Sequence, residues 1–428
     1  MSNELHRLRI KSRMIDVGPS PDPTEYGEGV RSWLTALVGA EHLSLLVGSG
    51  LGVSFAATAE AKALDMRPVK FNSAGADAVN AHARNTAVAM GRGEPNVEDQ
   101  LRSALQLLAG LQVLEPDGEQ TVAWQGELNA VLTRFAEDGL AGEASMKAEL
   151  DADTPQARRA VQLLVGFLLA FASRPPSRER LSVFTTNYDR LIELGSDLGG
   201  LRVIDRFVGT IEPVFRASRL ELDMHYNPPG IRGEPRYLEG VIRLCKLHGS
   251  LDWRFENGRL RRLPLAFGGS DPALETDAIE RLMIYPNAAK DVETLLFPYA
   301  ELFRDLSAAL CRPNSVLVTF GYGFGDDHIN RVIRDMLTLR STHLLVISYD
   351  DPGGRIGSFL ENVAPEQHSV LLGPHFGDLA TLADHYLPQP GAERLLAREA
   401  GRSGALHAVA DVRRHFRDSS VPGEEDIA

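Results

Sequence analysis

The sequence is poor in cysteine, in aromatic side chains and in long apolar runs. Its 428 residues include two cysteines, Cys245 and Cys311, so we expect no disulfide framework, and one chain cannot build a four-cysteine zinc site. No apolar run is long enough to span a bilayer, and no apolar signal core follows the early basic residues. We therefore expect a cytoplasmic protein that does not contact membranes.

The sequence also lacks an excess of basic residues. The formal net charge is −13, and such an excess of negative charge argues that the protein surface as a whole does not bind nucleic acid. We recognise no nucleic-acid-binding module, no ATPase motif and no internal repeat. The apolar fraction of 43% is that of an ordinary globular protein, and the length allows one large domain with an insertion, or two domains.

A strand, a glycine turn and a helix are predicted near the start of the chain. The apolar run 43–47 stops at a group of glycines, and a helix-compatible run follows. Glycine permits a tight turn and a close approach to a ligand, and a helix start attracts phosphate. The candidate phosphate loop consists of Gly48, Ser49, Gly50 and Gly52. Because Val53 replaces the third glycine of the dinucleotide-binding fingerprint, a tight turn without a ligand is an equal alternative.

Strands and helices alternate again in the second half of the chain. Apolar runs predict strands at 181–185, 242–247, 315–320, 343–348 and 369–372, and helix-like runs lie between several of them. Strands that are apolar throughout indicate a parallel sheet covered on both faces. We therefore predict an α/β fold with a Rossmann-like parallel sheet.

Three further regions surround this predicted sheet domain, which we place at 30–390. Residues 1–29 are interpreted as a proline-rich arm that serves as a linker or docking segment, with a short helix starting at residue 30. Residues 66–176 show no convincing strand and are interpreted as a helical insertion. Residues 391–428 are predicted to form a helix followed by an acidic tail.

Polar residues follow the predicted strands at the places where each strand ends. In a parallel sheet these ends meet at one edge, where ligands bind. The candidate side chains at this edge are Thr186, Asn187, Asp189, His248, Ser250, Gly321, Gly323, Asp326, Ser348 and Asp350. Simpler interpretations remain open: Asp189 and Asp326 can cap helices, and His248 can be an ordinary turn histidine. A metal site at 326–328 is disfavoured, because no second ligand cluster is visible.

The order of these motifs resembles the sirtuin family. The resemblance is carried by Gly48-Ser49-Gly50, by the Thr-Thr-Asn-Tyr-Asp run 185–189 and by Leu247-His248-Gly249. The runs 96–99, 183–189, 247–253 and 321–330 are similar to bacterial sirtuin-like proteins of antiphage defence. The likeness covers about 30–374 and implies a sirtuin-type NAD-binding domain.

The sequence departs from sirtuin deacylases in two places. It has no four-cysteine zinc module, and no Gly-Ile-Pro-Asp-Phe-Arg follows the glycines. Because both losses concern the acyl-lysine channel, we expect an NAD+ glycohydrolase that holds no zinc or other metal. The expected catalytic residues are Asn187, His248 and Asp189. The expected NAD contacts are the phosphate loop together with Thr186, Asn187, Asp189, Ser250, Gly321, Gly323 and Asp326, with Ser348 and Asp350 at the adenosine end.

Two other functions remain open at this point. One is an NAD-dependent protein deacylase, and the other is a non-catalytic module that senses NAD or ADP-ribose. The resemblance further implies a toxic, NAD-depleting effector of phage defence. It implies a homo-oligomer that is controlled by a partner, with a HerA-type ATPase as the expected partner.

Overall fold

The computed structural model describes residues 6–10, 13–15, 17–18, 21–63, 68–90, 93–217, 223–226, 236–271, 282–284 and 297–388. The C-terminal helix and acidic tail predicted at 391–428 lie outside these residues. The division into domains stays a prediction.

The described residues contain both strands and helices. The strands, in chain order, are β1 (Arg7–Ile10), β2 (Arg13–Ile15), β3 (His42–Val47), β4 (Leu181–Thr185), β5 (Arg202–Ile204), β6 (Phe207–Val208), β7 (Val214–Phe215), β8 (His225–Tyr226), β9 (Arg236–Tyr237), β10 (Val241–Lys246), β11 (Gly249–Glu256), β12 (Arg259–Arg262), β13 (Leu282–Ile284), β14 (Ser315–Phe320), β15 (His343–Ser348) and β16 (His368–Leu372). The helices are α1 (Pro23–Val38), α2 (Gly50–Ala59), α3 (Ala76–Ala89), α4 (Val97–Leu114), α5 (Glu119–Asp151), α6 (Pro155–Ala172), α7 (Leu191–Leu198), α8 (Tyr299–Leu310), α9 (Asp327–Leu337), α10 (Arg355–Leu360), α11 (Pro374–Gly377) and α12 (Leu379–Thr381).

The main sheet has nine strands in the order β2-β1-β16-β15-β14-β3-β4-β10-β5. The seven strands from β16 to β5 run parallel, while β1 and β2 pair antiparallel at one edge. Helices connect several of the parallel strands, as parallel neighbours require. The predicted α/β fold with a Rossmann-like parallel sheet is confirmed.

Alternation of side chains along the strands divides the core into two layers. In β4, Val183 belongs to the cluster beneath α6, whereas the next residue, Phe184, belongs to the cluster beneath α8. Successive side chains of a strand point to opposite faces, so two apolar neighbours can both be buried only if both faces are covered. The near-continuous apolar runs of the central strands follow from this arrangement.

Helices α3 to α6 fill the chain between β3 and β4, and no strand lies among the residues described there. Helices α3 to α5 share a core of their own around the fully buried Trp124. Helix α6 packs instead on the main sheet, where Leu164 and Phe167 contact the core of β3 and β4. The last helix of the expected insertion thus covers the sheet. We use the name insertion for the segment 76–151, which holds α3 to α5.

A second sheet, with the strand order β13-β11-β12-β7-β6, was not predicted. Its pairings are antiparallel, and its strand β11 begins one residue after His248. The side chains of Ser250, Asp252 and Arg254 in β11 are buried together with the apolar residues between them. The run 250–255 alternates polar and apolar residues, which is typical of a strand. Because it directly follows β10, its polar members are also typical of a strand end, and the sequence alone does not decide between the two.

The interpretation of residues 1–29 as a linker or docking arm is wrong for the part that the structure describes. Arg7–Ile10 pairs with β16, and Arg13–Ile15 pairs with β1, so both extend the sheet. Helix α1 begins at Pro23 and not at residue 30. Proline fits the first turn of a helix because the N–H group that it lacks has no partner there.

The chain reverses its direction across the main sheet between β3 and β14. From β3 it continues to β4 on one side, whereas from β14 it continues to β15 on the other. Directly beyond these two adjacent strands the glycine loops touch: a Cβ atom on Gly48 would lie 2.3 Å from the Gly321 carbonyl oxygen. A Cβ on Gly50 would lie 2.6 Å from the Cα of Gly321. The packing of the two backbones therefore requires these glycines, whichever of the two roles left open by the sequence, tight turn or ligand contact, the loop also has.

Replacing Gly321 by alanine should destabilise the protein strongly. Gly321 has φ +59°, and a Cβ there would lie 2.5 Å from the Cα of Gly50. Gly258, between β11 and β12, is a matched control because its φ is +70° but no atom lies within 4 Å of its Cβ position. Both variants carry the backbone penalty of about 1–2 kcal/mol, and we expect Gly321→Ala to cost about 1–3 kcal/mol more. Equal losses of unfolding free energy in denaturant titrations would contradict this reasoning.

Candidate functional site

A cavity of about 300 Å³ lies beyond the carboxyl ends of β3, β4, β10 and β14. This is the edge where the chain reverses direction, and ligands of open α/β sheets bind at such points. Ten of the residues predicted from the sequence line it. They are Gly48, Ser49, Gly52, Thr186, Asn187, Asp189, His248, Gly321, Gly323 and Asp326.

Four predicted residues are not among those that line this cavity. Gly50 packs against Gly321, and the hydroxyl of the fully buried Ser250 lies 3.4 Å from the Tyr188 carbonyl oxygen. Ser348 donates to the carbonyl oxygen of Asp350 at 2.8 Å, and the Asp350 side chain is exposed. The structure accounts for Gly50 and Ser250 by local packing, and the adenosine contacts proposed for Ser348 and Asp350 stay predictions.

Asn187 is fixed by contacts with β3 and with its own strand. Its backbone N–H donates to the Thr185 hydroxyl at 3.0 Å, and that hydroxyl donates to the Val47 carbonyl at 2.9 Å. The Asn187 Nδ2 donates to the Gly48 carbonyl at 3.0 Å. Since Nδ2 is held in this way, the amide orientation is determined by its partner. Within the part of the chain that the structure describes, Asn187 Oδ1 accepts no hydrogen bond, so it can receive one from a ligand hydroxyl or a water.

His248 follows β10 and is 5% exposed. Its Nε2 lies 3.7 Å from Oδ1 of Asp326, which is too long for a hydrogen bond but close enough for attraction between an imidazolium and a carboxylate. Asp326 stands at the N-cap of α9, yet its side chain makes no cap hydrogen bond. The carboxylate that the sequence offered as a helix cap is therefore placed to stabilise a protonated His248.

Asp189 combines the two roles that the sequence left open. Its Oδ1 accepts the backbone N–H of Leu191 at 3.1 Å, as in an Asx turn at the start of α7. Its Oδ2 lies 3.5 Å from the position that a Cβ on Gly52 would take, and both residues line the cavity. Asp189 thus organises the β4–α7 turn while it adds negative charge to the cavity.

The insertion supplies one wall of the cavity. The residues that it contributes are Asn96, Glu98, Gly139, Gly142, Glu143 and Met146. Tyr188, between Asn187 and Asp189, donates its hydroxyl to Glu98 Oε1 at 2.8 Å. Burial and the adjacent Glu98 carboxylate raise the pKa of Tyr188 well above its usual range, so the phenol stays protonated as a donor. The first turn of α4 is therefore bound directly to the strand end that carries Asn187.

Ion pairs of Arg190 and Lys246 hold the residues that follow β4 in place. Arg190 pairs with Glu143 of α5, whose Oε1 also accepts the Arg190 backbone N–H at 2.8 Å. Lys246, 3% exposed, bonds to the Asp189 carbonyl and lies 3.1 Å from Glu193 Oε1. Because breaking a buried pair leaves an uncompensated charge, these contacts fix the turn firmly.

The described residues offer no set of metal ligands at this site. Over the described ranges, no group of three or more histidine, cysteine or acidic side chains is arranged to hold a metal ion. Cys245 is buried in β10, and burial raises the pKa of its thiol well above its usual range. Cys311 directly follows α8. Across the same described ranges, no helix is both long and apolar enough to cross a bilayer.

Residues 181–366 match the model of a protein family described as the SIR2-like domain. This match supports a sirtuin-like protein. SIR2-like domains use NAD, so the match supports an NAD-related activity. The matched segment holds Asn187, His248 and the loop after β14. The glycine loop at Gly48 lies outside this segment and packs against its Gly321. No curated protein matches the chain.

We predict that Thr185→Val destabilises the protein and disturbs Asn187. Valine has a similar shape but leaves the buried Asn187 N–H without its acceptor, at a cost of about 1–3 kcal/mol. Thr319, in β14, is a matched control because it is fully buried and its hydroxyl makes one long contact of 3.5 Å, to the Leu345 carbonyl. Thermal unfolding should show a clear loss for Thr185→Val and a small one for Thr319→Val. Similar losses would mean that the Thr185 hydroxyl does not support Asn187.

Proposed function

We propose that this protein is an NAD+ glycohydrolase, which splits NAD+ into nicotinamide and ADP-ribose. The proposal rests on one observation: Asn187, His248 and Asp326 line the same cavity, at the point where the chain reverses its direction across the sheet. A sensor that only binds a nucleotide has no need of a buried histidine beside a carboxylate. The SIR2-like match supplies the NAD-related chemistry.

The reaction breaks the bond between C1′ of the ribose and the nicotinamide nitrogen, whose electron pair leaves with nicotinamide. A bond forms between C1′ and a water oxygen, and the water proton is released. The ribose develops positive charge, as in glycoside hydrolysis, and nicotinamide leaves as a neutral molecule without a general acid. The chain must therefore orient the ribose and the water and accommodate one proton.

The described side chains suit these tasks. Asn187 Oδ1 can accept a hydrogen bond from a ribose hydroxyl or from the water. The His248 imidazole can accept a proton from the ribose hydroxyl or the water, and the Asp326 carboxylate 3.7 Å away stabilises the imidazolium that results. Asp189 adds negative charge on the side of the developing cation.

Water is favoured as the acceptor because the insertion closes one side of the cavity. Asn96, Glu98, Gly139 and Gly142 form a wall there, and the Tyr188–Glu98 hydrogen bond holds that wall against β4. An acyl-lysine peptide needs an open channel to the ribose. The wall therefore supports hydrolysis over deacylation.

Incubation of the purified protein with NAD+, with and without an acetyl-lysine peptide, tests the proposal. We expect equal amounts of nicotinamide and ADP-ribose in both reactions and an unchanged peptide. Deacetylated peptide would favour the deacylase instead, and binding of NAD+ without any product would favour the sensor.

His248→Ala and Asn187→Ala should each lower the kcat of NAD+ cleavage by about 100-fold or more. Because both residues are expected to act in the transition state, ADP-ribose affinity should change much less than kcat. The exposed His225, stacked on Tyr237 outside the cavity, gives His225→Ala as a control that keeps wild-type turnover. Wild-type kcat in either site variant would remove that residue from the mechanism.

We further propose that the protein acts as a toxic effector in antiphage defence and is controlled by assembly. An enzyme that drains NAD+ needs restraint, and the Tyr188–Glu98 bond offers a route by which movement of the insertion reaches the site. We expect a homo-oligomer with low activity alone and higher activity with a HerA-type ATPase. Light scattering and NAD+ assays with the neighbouring gene product test this. A fully active monomer would contradict it.

A further inference from the structure

The charges that line the cavity are unequal. Four carboxylates line it, from Glu98, Glu143, Asp189 and Asp326, and Glu143 among them is paired with Arg190. Apart from His248, the one basic side chain among the described lining residues is Arg355. A pyrophosphate, which carries charge on both phosphates, would be repelled by these carboxylates unless a cation faced it.

The glycine loop does not supply that compensation by itself. The Gly50 N–H donates to the Gly321 carbonyl at 3.2 Å, and the Leu51 N–H donates to the Gly48 carbonyl at 3.3 Å. Two N–H groups at the start of α2 are therefore used inside the protein. The Ser49 side chain makes no cap hydrogen bond, so Ser49 and Gly52 remain as lining residues of this loop that can meet an anion.

Arg355 is held beside this loop by the backbone. It is half-buried at the start of α10, and its Nε donates to the Gly323 carbonyl at 2.7 Å. A Cβ on Gly323 would lie 3.2 Å from Nη2, so the guanidinium lies closely over the glycine. Gly323 is two residues beyond Gly321, which packs on Gly48 and Gly50. The guanidinium thus lies near the place where the two glycine loops pack against each other. Its planar group of N–H donors can bind two phosphate oxygens at once.

The sheet order separates Arg355 from three of the four carboxylates. Glu98, Glu143 and Asp189 belong to the insertion and the end of β4, on one side of β3, while Asp326 follows β14 and faces His248. Arg355 follows β15, which lies on the other side of β3 beyond β14. A ligand with a cationic ring at one end and a pyrophosphate further along fits this polarity in one direction.

We propose that Arg355 binds the pyrophosphate of the dinucleotide and thereby sets both the preference for a diphosphate ligand and its direction in the cavity. This inference rests on the proposed use of NAD+. It assigns Arg355 to ligand binding, whereas Asn187 and His248 act on the scissile bond.

The test measures equilibrium binding of ADP-ribose by calorimetry, at low and at high ionic strength. Arg355→Ala should weaken binding about 10- to 100-fold, as expected for loss of a charge-assisted contact. Arg355→Lys should lie between the two, because it keeps the charge but not the fork. The wild-type affinity should fall with added salt more steeply than that of Arg355→Ala. The exposed Arg340, outside the cavity, gives Arg340→Ala as the charge-matched control, with unchanged affinity.

The possible outcomes separate this inference from the proposed hydrolase activity. Wild-type affinity and salt dependence in Arg355→Ala would overturn the assignment of Arg355 alone. The same would follow if Arg355→Ala and Arg355→Lys lost affinity equally without any change in salt dependence, since that pattern indicates a distorted loop. Loss of ADP-ribose affinity in Arg355→Ala together with a wild type that fails to cleave NAD+ would keep Arg355 and refute the hydrolase. A wild type that does not bind ADP-ribose would overturn both.

Discussion

The close approach of two backbones, just beyond β3 and β14, is the constraint on which the site depends. The Gly48 N–H donates to the Phe320 carbonyl at 2.9 Å, and the Gly321 N–H donates to the Ile347 carbonyl at 3.0 Å. The ladder of β3, β14 and β15 thus continues into the loops. No side chain fits between these loops, because the Cβ positions of Gly48 and Gly321 fall inside the opposite backbone. The sheet therefore fixes where the floor of the cavity lies.

Each side chain proposed for chemistry is positioned from this floor. Asn187 takes its orientation from the Gly48 carbonyl, and Thr185 links the Asn187 backbone to Val47 at the end of β3. Asp326, opposite His248, follows the loop that begins at Gly321. Strand order thus brings a hydrogen-bonding oxygen, a histidine and a carboxylate to the lining of one cavity. This explains how residues so far apart in sequence form one site.

The sequence was sufficient to predict the central strands and much of the cavity lining, for an identifiable reason. The bounds of β4, β14 and β15 coincide with those predicted, because strands buried on both faces are uninterrupted apolar runs. Strand β11 was not predicted, because its buried Asp252 and Arg254 follow β10 closely and resemble the polar residues at the end of a strand. The Tyr188–Glu98 hydrogen bond was not predicted either, since no local pattern in α4 indicates that its first turn packs against the end of β4.

The two glycine loops also explain why the positive charge for an anion comes from a side chain at this site. Since the N–H groups of Gly48, Gly50 and Leu51 bond within the protein, less backbone charge remains for an anion there. A cation must then come from a side chain, and α10 brings Arg355 to the loop after β14. Three of the four carboxylates come from the opposite direction, through the insertion and the end of β4, and the fourth, Asp326, faces His248. A ligand that carries a positive ring and negative phosphates meets complementary charge at both ends, and a reversed ligand meets repulsion at both. For the proposed dinucleotide ligand, the backbone packing that joins the two loops thus favours one direction of binding.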